Sequence, residues 1–94
     1  MNFPSFEEFE AAARREGYDE VLARTWDAGQ TVDEHGHPFA VKALVIAGEM
    51  WLVEGERSRH LRPGDTFHLD AAAPHAERYG PEGATYWAAR RNVR

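Results

Sequence analysis

Apolar side chains recur at helical spacing near the start of this chain and alternate with polar ones beyond residue 18. In SFEEFEAAARRE, Phe6, Phe9 and Ala13 share one helical face, while Glu7, Glu8, Glu10 and Arg14 lie mostly elsewhere. Ser5 followed three residues later by Glu8 has the form of a capping box, Pro4 stands just outside it, and Gly17 supplies a stop. The pattern predicts a helix over about 5–16. A helix this short is marginal alone in water, so its phenylalanines are expected to pack against a sheet or a partner chain.

From Tyr18 the period falls to 2. Leu22, Arg24 and Trp26 alternate with Val21, Ala23 and Thr25, and a turn follows at Ala28-Gly29. A strand carrying His35 and His37 comes next. The apolar run 40–47 is rich in Val, Leu and Ile and reads as a strand buried on both faces, ended by Gly48. Residues 50–53 and 57–61 form the arms of a hairpin around Glu54-Gly55-Glu56. Pro63-Gly64-Asp65 is a turn, 66–69 a strand, 70–74 a loop and 75–79 another strand. Gly80-Pro81-Glu82-Gly83 reads as a further turn before a last strand over 84–89. Seven or eight short strands with a turn every eight to twelve residues predict one antiparallel sandwich or barrel, over about 19–90, in a single domain spanning 1–94.

Composition removes several alternatives. The 94 residues carry a net charge of −5, so a general nucleic-acid binder is not expected, and the basic cluster Arg90, Arg91 and Arg94 reads as a solvated tail. There is no cysteine, which leaves His, Asp and Glu as the available protein metal ligands. The acidic start lacks the pattern of a signal peptide, and no apolar stretch is long enough for a membrane helix. A soluble cytoplasmic protein without a membrane or nucleic-acid partner is the expectation, as a homodimer because so small a barrel leaves apolar faces and sheet edges to cover.

The candidate chemistry is carried by histidine. His35 and His37, one residue apart, point to the same side of an extended backbone, and His75 follows a proline at the start of a later strand. In a closed sheet the three could converge on one ion. Asp33 shares their parity and is a lesser candidate ligand, as is His68. Lys42 is expected to face outward or pair with an acid, and His60 to lie on the surface. No nucleophile elbow, phosphate loop or dinucleotide fingerprint is present.

These residues resemble the two motifs of the cupins, G-x5-H-x-H-x3,4-E-x6-G and G-x5-P-x-G-x2-H-x3-N. The first is matched by Gly29, His35, His37 and Gly48, with Val41 at the glutamate position. The second is matched by Gly64 and His75, with Asp70, Ala72 and Tyr79 replacing proline, glycine and asparagine. The resemblance covers about residues 29–79 and implies an all-β, jelly-roll-like cupin barrel with a short N-terminal helix. It also implies a divalent transition metal (Zn, Fe, Ni, Mn or Cu) on His35, His37 and His75 at the barrel mouth. Tyr79, Val41 and Phe39 would then belong to a pocket for a small molecule. Dioxygenase- or isomerase-type chemistry is one implication. The other is a noncatalytic binding or sensing module, similar to the ligand-binding cupin half of some bacterial regulators. Because Val41 cannot coordinate, the centre is expected to lack a carboxylate, to keep more positive charge and to favour anionic ligands.

Overall fold

The computed structural model describes residues 4–92; Arg94 lies outside them. Helix α1 (Phe6–Arg15) begins at the expected cap, with the Glu8 amide donating to Ser5 Oγ at 3.1 Å and the Ser5 amide donating to Glu8 Oε1 at 3.0 Å. Six strands follow among the described residues: β1 (Glu20–Trp26), β2 (Thr31–His35), β3 (Phe39–Glu54), β4 (Arg57–Leu61), β5 (Thr66–Leu69) and β6 (His75–Asn92). All pair antiparallel in one sheet of order β1-β6-β3-β4, in which β2 also pairs with β6 and β5 with β3.

Two expected breaks are not chain reversals. Gly48 lies within the 16-residue strand β3, and Gly80–Gly83 within the 18-residue strand β6. The register explains both. Gly48 pairs with Ala84 and Met50 with Tyr79, so residues 80–83 of β6 bulge out opposite the single Glu49 of β3. At this corner β6 changes its other partner as well, from β1 along 84–90 to β2 along 75–78, while β3 changes from β5 to β4. Glycine and proline therefore bend two long strands here instead of ending four short ones. A strand that bends at a bulge lets one sheet wrap round a core.

That core contains Val41, Ala43, Val45, Met50, Leu52 and Phe67, with Met50 and Leu52 wholly buried. The opposite face of β3 and β6 is covered by α1, where Phe9 and Ala13 meet Leu44, Ala89 and Tyr18, and Phe6 stands edge-on to Trp87 at 5.6 Å. Val41, Ala43 and Val45 are therefore buried on one face of β3 and Leu44 on the other, while Lys42 stays half-exposed. No helix of the described residues is long and apolar enough to cross a membrane.

Candidate metal centre and pocket

His35 ends β2 and His75 begins β6, and the two are direct cross-strand partners. His37 lies just past the strand, in a loop pinned by the Ala72 amide donating to the His37 carbonyl at 2.7 Å. The family glycine position in the facing loop is Ala72, which adopts φ 65. Three rings, from two strands and one loop, meet as a result. Ring centroids are 4.4 Å apart for His35 and His75, 4.7 Å for His37 and His75, and 4.9 Å for His35 and His37. One ligand atom of each lies within 4.8 Å of the others.

Tautomers follow from the outer hydrogen bonds. His35 Nδ1 lies 2.7 Å from the Asp33 carbonyl oxygen, and His75 Nδ1 lies 2.9 Å from that of Ala73. A carbonyl only accepts, so each Nδ1 carries the hydrogen and leaves the Nε2 lone pair of a neutral ring facing inward. Backbone carbonyls orient metal-binding imidazoles in this way. His35 Nε2 is 3.2 Å from His37 Nε2. Donors each about 2.1 Å from a shared ion lie roughly 3–4 Å apart, so this donor set fits a transition metal.

Burial, then the neighbouring imidazoles of His75 and His35 and the guanidinium groups of Arg90 and Arg24, lower the His37 pKa to about 4. His37 is thus neutral and available as a ligand near pH 7. In metal-free protein the unfolded chain takes up this proton near pH 6.5, before the folded one does. The contribution is fully present above about pH 6.5 and is lost as the pH falls toward 4. Chelated protein is therefore expected to unfold at lower urea concentration at pH 5 than at pH 7; equal midpoints would contradict this environment for His37.

The cavity beside the cluster has a volume of about 200 Å³. Phe39, Val41, Phe67 and Leu69 form an apolar wall, and Phe39 stacks on His37 at 4.7 Å. Arg24 and Arg90 supply positive charge, their guanidinium groups lying 4.7 Å from the rings of Trp26 and Phe39 respectively. Arg90, read from sequence as part of a solvated tail, is thus a cavity residue. Arg91 covers Tyr18 and donates to the Glu16 carbonyl.

Tyr79 does not stand on the cavity wall. It is 4% exposed, stacks on Trp26 at 5.2 Å and donates its hydroxyl to Glu77 Oε1. Burial above all, then neighbouring Tyr86, holds that hydroxyl well above the usual phenol range, so it serves as a donor and not as an acid. Glu77 itself was missed from sequence although it shares parity with His75. It is buried and lines the cavity. The other candidates lie elsewhere: the Asp33 side chain is exposed, His68 is exposed beside Asp70, Lys42 pairs with Glu16 at 2.9 Å, and His60 bonds Glu49 at 2.7 Å while stacking on Trp51.

A family model described as the AraC-like ligand binding domain matches residues 18–90. Among solved structures, a DMSP lyase from Ruegeria pomeroyi is 27% identical with a TM-score of 0.70, over 77% of this chain and 37% of that one. An RmlC-like cupin from Shewanella frigidimarina is 22% identical with a TM-score of 0.67, over 80% and 68% of the two chains. A cupin superfamily protein from Desulfitobacterium hafniense is 17% identical with a TM-score of 0.66, over 81% of each. The last two likenesses speak for the fold alone, and this chain spans little more than a third of the lyase's length. No curated protein matches it.

Proposed function

Starting from the chain's membership of the AraC-like ligand binding domain family of cupins, we propose that it is a small metal-binding cupin whose pocket takes a small anionic molecule, such as one bearing a carboxylate. The observation that carries this reading is the meeting of three imidazoles, two of them with Nδ1 held by a backbone carbonyl so that Nε2 faces the common centre. His35, His37 and His75 would hold a divalent transition metal. Once bound, that metal would supply Lewis-acid or dioxygen chemistry of the kind dioxygenases and isomerases use. Arg24 and Arg90 are placed to attract and orient the anion, and the apolar wall excludes water around it.

A second reading, a noncatalytic binding or sensing module, is favoured by the scarcity of acid–base groups. The Tyr79 hydroxyl is occupied by Glu77, the cavity-lining histidines are those of the cluster itself, and Glu77 is the one carboxylate lining the cavity among the described residues. Fold does not choose between the two readings.

Elemental analysis of protein purified without an affinity tag tests the metal. Near-stoichiometric transition metal is expected, and protein that neither retains nor takes up such an ion would overturn the proposal. With the loaded protein, consumption of oxygen or turnover of a small carboxylate marks an enzyme. Saturable binding without turnover marks a sensing module.

A further inference from the structure

We infer that Glu77 is a fourth, anionic donor to this centre, replacing from β6 the acid that β3 lacks at Val41; the inference rests on the three-histidine reading above. Glu77 lies two residues after His75, on the same face of β6, and is 6% exposed. Its two oxygens have different surroundings. Oε1 accepts the Tyr79 hydroxyl at 2.5 Å, whereas Oε2 lies 3.7 Å from His35 Nε2 and 3.8 Å from His75 Nε2.

The hydrogen bonds around these atoms decide what belongs between them. The His35 and His75 Nδ1 hydrogens are directed to carbonyls, so both Nε2 atoms of the neutral rings present lone pairs. A buried carboxylate oxygen facing two acceptors is strongly unfavourable without a cation, since the charge has left water without gaining a partner. A divalent ion accepts electron density from every one of these atoms at once. Tyr79 is then a positioning residue, since holding Oε1 leaves Oε2 for the metal.

The relocated acid reverses the sequence-based expectation of a centre without a carboxylate. Three neutral imidazoles and one carboxylate around a divalent ion leave a single net positive charge. The cavity's remaining attraction for an anion then comes chiefly from Arg24 and Arg90.

Metal-free protein titrated with Co(II) and Zn(II) against a competing chelator provides the test. Wild type should bind, and Glu77→Gln should bind at least about 10-fold more weakly with an altered Co(II) absorption spectrum. Tyr79→Phe should weaken binding less. Val41→Glu placed on the Glu77→Gln background should recover affinity, because it returns an acid to the motif position. Unchanged affinity and spectrum in Glu77→Gln, with wild type binding normally, would overturn the role of Glu77 and spare the histidines. Failure of wild type to bind either ion would overturn the metal reading itself. Should Glu77→Gln fail to fold, the wild-type infrared difference spectrum decides. A carboxylate stretch that shifts with one equivalent of metal, and is absent from the metal-loaded Glu77→Asp difference spectrum at that frequency, supports the inference; no such band overturns it.

Discussion

Replacing His75 with alanine is expected to abolish the proposed metal binding while leaving the barrel folded. His75 is 1% exposed and touches both other rings, so it is the central member of the cluster. Disturbing groups that merely orient a ligand costs about 10–100-fold in metal affinity. Loss of a ligand should cost at least about 100-fold. The fold should tolerate the change because His75 stands at the first position of β6, with the β3 pairing of that strand starting beyond it at Ala76. Circular dichroism matching wild type, together with metal content near zero after desalting, is the expected result. Full occupancy in the variant would remove His75 from the centre.

The largest effect on stability is expected at the corner where the two long strands bend. Gly48 has φ 72, and a Cβ built there would stand 2.1 Å from the Gly83 carbonyl oxygen, a backbone atom that has no rotamer to retreat into. Left-handed geometry costs an alanine about 1–2 kcal/mol. Relieving the clash requires separating β3 from β6, the pairing that organises the sheet. Gly48→Ala should therefore lose more than about 4 kcal/mol, among the most severe effects of point substitution. Domains of this size have about 5–15 kcal/mol in all. At roughly 4–8 °C per kcal/mol, the melting midpoint should fall by about 20 °C or more, or folding should fail. Gly17→Ala is the control. Its φ of 94 carries a dihedral cost, but nothing lies within 4 Å of the new methyl group. A thermal melt in which both variants lose the same few degrees would show that the close approach at Gly48 is unimportant.

The elements most legible in the sequence were those fixed by local chemistry. Ser5 and Glu8 cap α1 through contacts three residues apart, the Gly55-Glu56 hairpin falls between strands already in register, and β5 has the bounds its alternation suggests. Continuity of β3 and β6 was not legible. Gly-Pro-Glu-Gly has the same composition whether the chain reverses or bulges, and only the pairing on either side of it, Gly48 with Ala84 and Met50 with Tyr79, distinguishes the two. The histidine trio was readable from spacing, although His37 proves to sit beyond the end of its strand. Glu77 and Arg24 were available to the same parity argument, one beside His75 and the other between Leu22 and Trp26. Arg90 carried no such signal, because a basic pair near a chain end looks the same whether it faces solvent or a cavity.

The cross-strand partnership of His35 with His75, and the clip from Ala72 to His37, give any bound ion a second role as a rivet. It would fasten segments that neighbour one another only after the chain has folded, so loading must follow folding. At a free metal concentration about a thousand times its dissociation constant, such an ion adds roughly 4 kcal/mol to the native state. For so small a domain that is a large share of the total, and protease survival of the chain would then report how much metal its surroundings hold.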